Sequence, residues 1–284
     1  MRLCRYGPRG QEKPALVDHE GQRRDLSALV KDIDGSLLAA ELAPLRNLDA
    51  RGLPLVDPGA RHAAPVAGVG KFVCIGLNYR DHAAESNMPL PPEPIVFMKA
   101  TSAISGPNDD VLLPPGSLKS DWEVELGVII GREARYIPRE RALEHVAGVC
   151  VVNDLSERAY QLERGGQWDK GKGCDTFGPF GPQLVTLDEA GDLSNLGLWL
   201  AVNGSRMQSG HTSQMIFDVP FLVHYVSQFM SLQPGDLIST GTPAGVGSGK
   251  KPPQFLREGD EITLGIDGLG SQQQRVRRYT LPAG

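Results

Sequence analysis

The chain lacks any apolar run long enough to span a bilayer, about 18 residues, and its start, MRLCRYGPRG, has no apolar export core. A soluble cytoplasmic protein is therefore expected, without a membrane partner. Cysteine is scarce: Cys4, Cys74, Cys150 and Cys174 lie far apart with no CxxC pair, which fits free thiols in a reducing compartment. Positive charge is never concentrated. Lys and Arg total 29 against 34 Asp and Glu, a net charge of −5, and the absence of a basic block speaks against a nucleic-acid surface. Nucleotide signatures are missing too: GTPAGVGSGK (241–250) is glycine-rich but lacks Walker A or dinucleotide spacing. No GxSxG nucleophile elbow is present.

What is abundant points to a turn-rich, mainly β chain with some helix. There are 34 Gly and 22 Pro, and 40% of the residues are apolar, enough for a substantial core. The length of 284 residues suits one large domain plus a small one. Residues 1–66 read as the small N-terminal unit: a strand at RLCRY, a hairpin turning at Asp18–Gly21, and short helical segments in SALVKDIDGSLLAAEL. A Pro/Gly/Ala-rich stretch from about 55 to 70 serves as linker, and residues 67–284 form the larger unit. Its strand candidates are KFVCIGLN, IVFMKA, VELGVIIG, AGVCVVND, LGLWLAVNG, DLISTGTPAG and DEITLGIDGLG. DVPFLVHYVSQFM is the clear helix, with Asp218 as cap, Pro220 in the first turn, and Phe221, Leu222, Tyr225 and Phe229 at helical spacing. LQPGDLISTG and LREGDEITLG echo each other 24 residues apart, which reads as two similar turn-then-strand units of one β-meander.

Within SDWEVELGVIIG (120–131), Glu123 and Glu125 would project from the same face of a strand whose other face carries Val124, Leu126, Val128 and Ile130. Two like charges entering a buried strand repel each other and resist desolvation. Either the strand begins in water or a cation sits between them. Asp154 closes the apolar run GVCVVND in the same manner. Three carboxylates without cysteine or histidine suit a hard divalent ion, Mg²⁺ or Mn²⁺ with Ca²⁺ possible; solvated acids at an exposed strand end are the alternative. In NYRDHAAESN, His82 and Glu85 are one helical turn apart, so the carboxylate could orient the imidazole as a general base. The segment up to Pro94 is polar, then Pro-rich, and long enough for a lid. ERGGQWDKGKGCDTFGPFGP (163–182) is a structured loop bearing Lys170 and Lys172. A lysine beside a carboxylate site would stabilise a developing oxyanion, whereas Lys170 reads as a solvated loop residue.

Taken in order, IGLNYRDHAAE, PIVFMKATSA, DWEVELGVIIG, NDLSERAYQLERGGQWDKGKGCDTFGP, LAVNGSRMQSGHTSQMIF, LQPGDLISTGTPAGVG and EGDEITLGIDGLG resemble the fumarylacetoacetate hydrolase family from residue 71 to about 275. The resemblance implies an α+β fold built on a mixed β-sheet roll. It implies Mg²⁺ or Mn²⁺ held by Glu123, Glu125 and Asp154, and a His82–Glu85 dyad in a lid. Lys172, four after Trp168, matches the family's active-site lysine. Arg158 and Gln161 match residues that line the site, and Thr242 one that contacts the substrate's carboxylate end. One departure is Ala159, where many relatives carry Asp. The implied reaction is hydrolysis of the C3–C4 bond of a 2,4-dioxo acid to pyruvate and a carboxylic acid. The 163–182 loop most resembles enzymes acting on 2,4-diketo-3-deoxy-L-rhamnonate. Acylpyruvate or oxaloacetate cleavage, a hydratase or isomerase, and a retired enzyme serving as a binding protein are the alternatives. A homodimer or higher homo-oligomer is also implied.

Overall fold

The apolar run after Glu123 becomes the middle of the molecule: strand Val124–Ile130 is buried along its whole length. The structure is a computed structural model that describes residues 1–46 and 48–280. In the large mixed sheet the strands lie in the order Arg23–Asp25, Lys13–Val17, Arg2–Tyr6, Gly178–Val185, Val146–Asn153, Val124–Ile130, Leu237–Ser239, Phe72–Gly76 and Ile95–Lys99. Neighbours along this path are antiparallel except Leu237–Ser239, which runs parallel to Phe72–Gly76. A five-stranded sheet packs against it, ordered Ser205–His211, Gly197–Val202, Glu261–Ile266, Gly270–Arg278 and Val111–Leu113.

Alternation along the central strand divides the interior in two. Val124, Leu126, Val128 and Ile130 point into one core, shared with Leu198, Leu200 and Leu264 of the five-stranded sheet. Ile129 points into the other, which it shares with Phe72, Cys150 and Phe180. Gly127 lies on the Ile129 face because nothing larger fits: a Cβ there would meet Val152 Cγ2 at 2.6 Å and Cys150 Sγ at 2.7 Å. Glu123 and Glu125 have the parity of Gly127, so strand geometry alone puts both carboxylates at one end of the second core. Leu3, Leu26, Ile33, Leu37 and Leu38, from the first 66 residues, belong to that same core.

Several local expectations hold. RLCRY is strand Arg2–Tyr6, and the hairpin turns at Asp18, whose side chain accepts from Glu20 N and Gln22 N. Asp34 caps helix Gly35–Ala39. Helix Val219–Ser227 is capped by Asp218, which accepts from Phe221 N at 2.9 Å, with Pro220 in the first turn.

The helix is met as expected, and one other expectation needs correction. The buried face of that helix is Val219, Leu222, Val223 and Val226. Phe217, Phe221, Tyr225 and Phe229 instead form a ladder of rings along its outer side, with centroids 5.3, 5.8 and 4.9 Å apart and Phe229 64% exposed. The echoed turns are indeed alike: Gly235 and Gly259 both have φ +92, and Asp236 and Asp260 each accept from the backbone N–H three residues earlier at 2.7 Å. Their strands nevertheless enter different sheets, so they are not one meander. A turn is encoded locally, whereas the partner of the strand that follows is not.

Candidate metal-binding active site

At the end of the second core, oxygens of Glu123, Glu125 and Asp154 lie within 4.8 Å of one another, and all three residues are buried. Strand pairing brings them there. Val124 faces Asn153 across the ladder, and Asp154 N donates to Glu123 O at 2.9 Å. The strand does not begin in water, so the charges are compensated inside the protein. Lys172 Nζ donates to Glu123 Oε2 at 2.7 Å and to Asp154 Oδ2 at 2.8 Å. Arg158 Nη2 donates to Glu123 Oε1 at 2.6 Å, and its Nη1 to Gln161 Oε1 at 3.0 Å. Burial works to raise the Glu123 pKa, but Lys172 and Arg158 outweigh it and hold the value at about 2.

Glu125 has neutral donors instead. Ser239 Oγ and Gly241 N both donate to its Oε2, at 2.6 and 2.8 Å. Burial, with Asp154 and Glu123 close by, drives its pKa well up.

Lys99, absent from the sequence reading, sits with Nζ 2.6 Å from Asp154 Oδ1, but its directed bonds go to Leu155 O and Lys172 O. The Asp154–Lys99 contact is thus ionic, and Oδ1 has no aligned donor. Counting Asp121, four buried carboxylates face the three cations Lys99, Arg158 and Lys172. Three buried carboxylates that converge with oxygen donors alone, Glu125 among them held only by neutral donors and Asp154 Oδ1 without an aligned donor, fit a hard divalent ion.

Lys172 reaches this cluster from the short helix Asp169–Lys172, its ammonium 5.0 Å from the Phe97 ring centroid. Trp168, just before the helix, packs edge-on to Phe97 at 5.3 Å, and Gly76 leaves room for it: a Cβ there would lie 2.6 Å from the indole. Lys170 turns away, donating to Arg164 O at the surface. The loop reading of the two lysines therefore matches their places.

His82 and Glu85 share the helix Arg80–Glu85, with His82 Nδ1 3.3 Å from Glu85 Oε2. Gly245 N donates to the same carboxylate, at 3.1 Å from Oε1 and 3.0 Å from Oε2. Burial opposes ionisation of Glu85, yet the bonds from His82 and Gly245 prevail and lower its pKa. One loop joins this pair to the acidic cluster. Ser239 and Gly241 hold Glu125, Gly245 holds Glu85, and Gly247 N and Ser248 N donate to Asp121 Oδ1 and Oδ2 at 2.6 and 3.0 Å. Thr242 lies within it, but its hydroxyl is committed, donating to Val124 O at 2.9 Å and accepting from Gln208 Nε2 at 2.7 Å. Asp121, Ser239 and the loop N–H groups escaped the sequence reading. Asp121 could have been found by the signal that exposed Asp154, a carboxylate at the mouth of a buried strand.

The chain matches the family described as "Fumarylacetoacetate (FAA) hydrolase C-terminal" over residues 71–277. This chain belongs to the fumarylacetoacetate hydrolase family. It is 59% identical over 279 residues to a protein of Burkholderia orbicola (strain MC0-3) named "Putative hydrolase", covering 98% of this chain and 99% of that one. Among solved structures, the fumarylacetoacetate hydrolase of Exiguobacterium antarcticum superposes with a TM-score of 0.89 at 34% identity, over 98% of this chain and 100% of that one. The maleylpyruvate hydrolase of Sphingobium sp. SYK-6, solved with manganese(II) and pyruvate, does so with a TM-score of 0.80 at 29% identity, over 99% and 100%. The mixed-sheet fold expected from sequence is therefore the family's own. Among the described residues no helix is long and apolar enough to cross a membrane.

Proposed function

We propose that this family member hydrolyses the C3–C4 bond of a 2,4-dioxo acid to pyruvate and a carboxylic acid, with 2,4-diketo-3-deoxy-L-rhamnonate as substrate and lactate as second product. The observation that carries the reading is the buried Glu123–Glu125–Asp154 cluster, gripped by Lys172 and Arg158 and tied by one loop to the His82–Glu85 pair. Glu123, Glu125 and Asp154 would hold Mg²⁺ or Mn²⁺, which would supply Lewis acidity to the substrate's oxygens.

The chain's own groups account for binding and proton movement. Arg158 has five N–H donors, and three nitrogens are engaged by Asp121, Glu123 and Gln161 with one bond each. Two N–H remain for a substrate carboxylate, along with the amide NH₂ of Gln161. With His82 Nδ1 directed at Glu85, Nε2 is the nitrogen that takes a proton from water. The water oxygen bonds to C4, the C3–C4 pair of electrons passes to the pyruvate fragment as its enolate, and C3 then takes up a proton. Lys172 uses two of its three N–H on Glu123 and Asp154, leaving the third and its charge for the developing oxyanion. Thr242, its hydroxyl committed, would meet a ligand through its backbone N–H. A homo-oligomer acting in the cytoplasm on this small molecule, without nucleic acid, completes the proposal.

The test is pyruvate release coupled to lactate dehydrogenase. Substrates are 2,4-diketo-3-deoxy-L-rhamnonate, acetylpyruvate and oxaloacetate, each with Mg²⁺ and after chelation, with a control for spontaneous loss of CO₂ from oxaloacetate. Chelator-sensitive release strongest from the sugar acid is expected. Release from acetylpyruvate alone overturns the substrate but keeps the hydrolysis, whereas release from oxaloacetate alone, which loses C4 as CO₂ without water, overturns the hydrolysis as well. Silence on all three overturns the hydrolase reading in favour of hydration or isomerisation.

A further inference from the structure

Asp121 has no part in the reaction just described, yet its side chain is fully buried and accepts four hydrogen bonds. Trp122 N and Gly247 N donate to Oδ1 at 2.8 and 2.6 Å; Arg158 Nε and Ser248 N donate to Oδ2 at 2.8 and 3.0 Å. A carboxylate has about four acceptor sites, so Asp121 has none left for a ligand. Its bonds run in two directions. One leads through the Arg158 guanidinium to Glu123. The other leads into the 245–249 backbone, where Gly245 N holds Glu85, and where a Cβ on Gly249 would lie 2.8 Å from Glu85 Cδ. That loop therefore presses on Glu85 at two points, and Asp121 is what fixes it.

We propose that Asp121 is a positioning residue that locks the 245–249 backbone, and with it the Glu85–His82 pair, to the guanidinium that grips Glu123. Only a carboxylate suits the place. Four donors converge on two oxygens, and an asparagine of the same shape would turn an NH₂ toward at least one of them, leaving buried donors face to face. The proposal rests on the reading of His82 and Glu85 as the proton-handling pair.

The full-length Asp121→Asn variant is compared with wild type in three measurements: pyruvate release, Mn²⁺ binding by paramagnetic resonance titration, and amide hydrogen exchange. A displaced Glu85 is expected to lower kcat about 100-fold, the scale of a misplacement near 1 Å. Mn²⁺ affinity is expected to stay within about threefold, because the three carboxylates keep their own donors. Exchange should quicken in 245–249 and, diagnostically, in 80–86 as well. If Asp121 acts through Glu85, adding Glu85→Gln lowers kcat by less than about threefold more than the worse single variant. A folded variant with near-normal kcat, losses that multiply in the double variant, or unchanged exchange in 80–86 would each overturn the proposal. Should Asp121→Asn not fold, Ser248→Pro removes one loop donor while leaving the Asp121–Arg158 pair, and the same exchange pattern is required of it. Should wild type release no pyruvate from any substrate, the functional reading fails separately, and exchange in 80–86 still decides the role of Asp121.

Discussion

At the scale of single residues, the site separates groups that hold charge from groups that move protons. Glu123 is kept ionised by Lys172 and Arg158, and its carboxylate is one of the three that converge. Replacing it by the neutral Glu123→Gln is therefore expected to abolish divalent-ion binding and activity together. His82→Ala touches none of the three carboxylates and should lose activity, about 100-fold or more for a general base, with metal affinity intact. Calorimetric titration of both variants with Mg²⁺ and Mn²⁺ checks the split; retained binding in Glu123→Gln would remove that residue from the ligand set. Away from the site, His62 offers a stability prediction. Burial, with Arg23 adding to it, lowers its pKa to about 4 from 6.5, and its Nδ1 is buried without a partner. The folded protein thus refuses a proton that the unfolded chain accepts. The neutral ring's contribution is complete above pH 6.5 and is lost progressively as pH falls toward 4. Melting temperatures measured from pH 8 to 4.5 should fall less steeply for His62→Leu than for wild type; parallel curves would show that His62 titrates normally.

At the scale of elements, the 240–248 loop does more than any strand to assemble the site, and it does so chiefly with backbone N–H groups. Gly245 shows how little freedom it has: φ is +106, and a Cβ would lie 2.1 Å from Met207 O. Gly245→Ala must push the loop away from Met207 and take the Gly245 N–H off Glu85. Activity is expected to fall about 100-fold, again the scale of a misplacement near 1 Å. Gly21→Ala is the control, with φ +78 but nothing within 4 Å of the added Cβ, and should cost about 1–2 kcal/mol of stability at unchanged activity. Denaturant titration and turnover of the two variants separate strain from function; equal activities would sink the argument. The same loop marks the limit of what the sequence discloses. Glu123, Glu125 and Asp154 were legible because a charge entering an apolar strand stands out. Lys172 was legible through its distance from Trp168 in a resembling loop. Backbone donors have no letter of their own, so the hold of Gly241 on Glu125 and of Gly245 on Glu85 could not be read. Lys99 ended an apolar strand as visibly as Asp154, but its partners, Leu155 O and Lys172 O, come from distant segments. Hairpins and turns were readable for the converse reason, since their bonds close within a few residues.

At the scale of the whole molecule, the first 66 residues bear on how the site is supported. Strand Arg2–Tyr6 pairs with Gly178–Val185, which pairs in turn with Val146–Asn153, the strand that delivers Asp154. Leu3, Leu26, Ile33, Leu37 and Leu38 fill the same core as Phe180, Leu184 and Leu237. Each fully buried side chain of this size contributes about 1.5–3 kcal/mol relative to exposure, so stripping five from a shared core removes a sum comparable with the 5–15 kcal/mol that holds a typical domain folded. The free edge of Gly178–Val185 would add unpaired N–H and C=O groups beside newly exposed apolar surface. A chain starting at residue 67 keeps Glu123, Glu125, Asp154, Lys172, His82 and Glu85. It is nevertheless expected to aggregate, or to lack a cooperative thermal transition, and Mn²⁺ in excess should not restore one. Supplying residues 1–66 as a separate fragment should recover soluble complex if the shared core is what is missing. A truncated chain that melts cooperatively and binds Mn²⁺ as wild type does would show instead that the large unit folds independently, with the N-terminal strands resting on its edge.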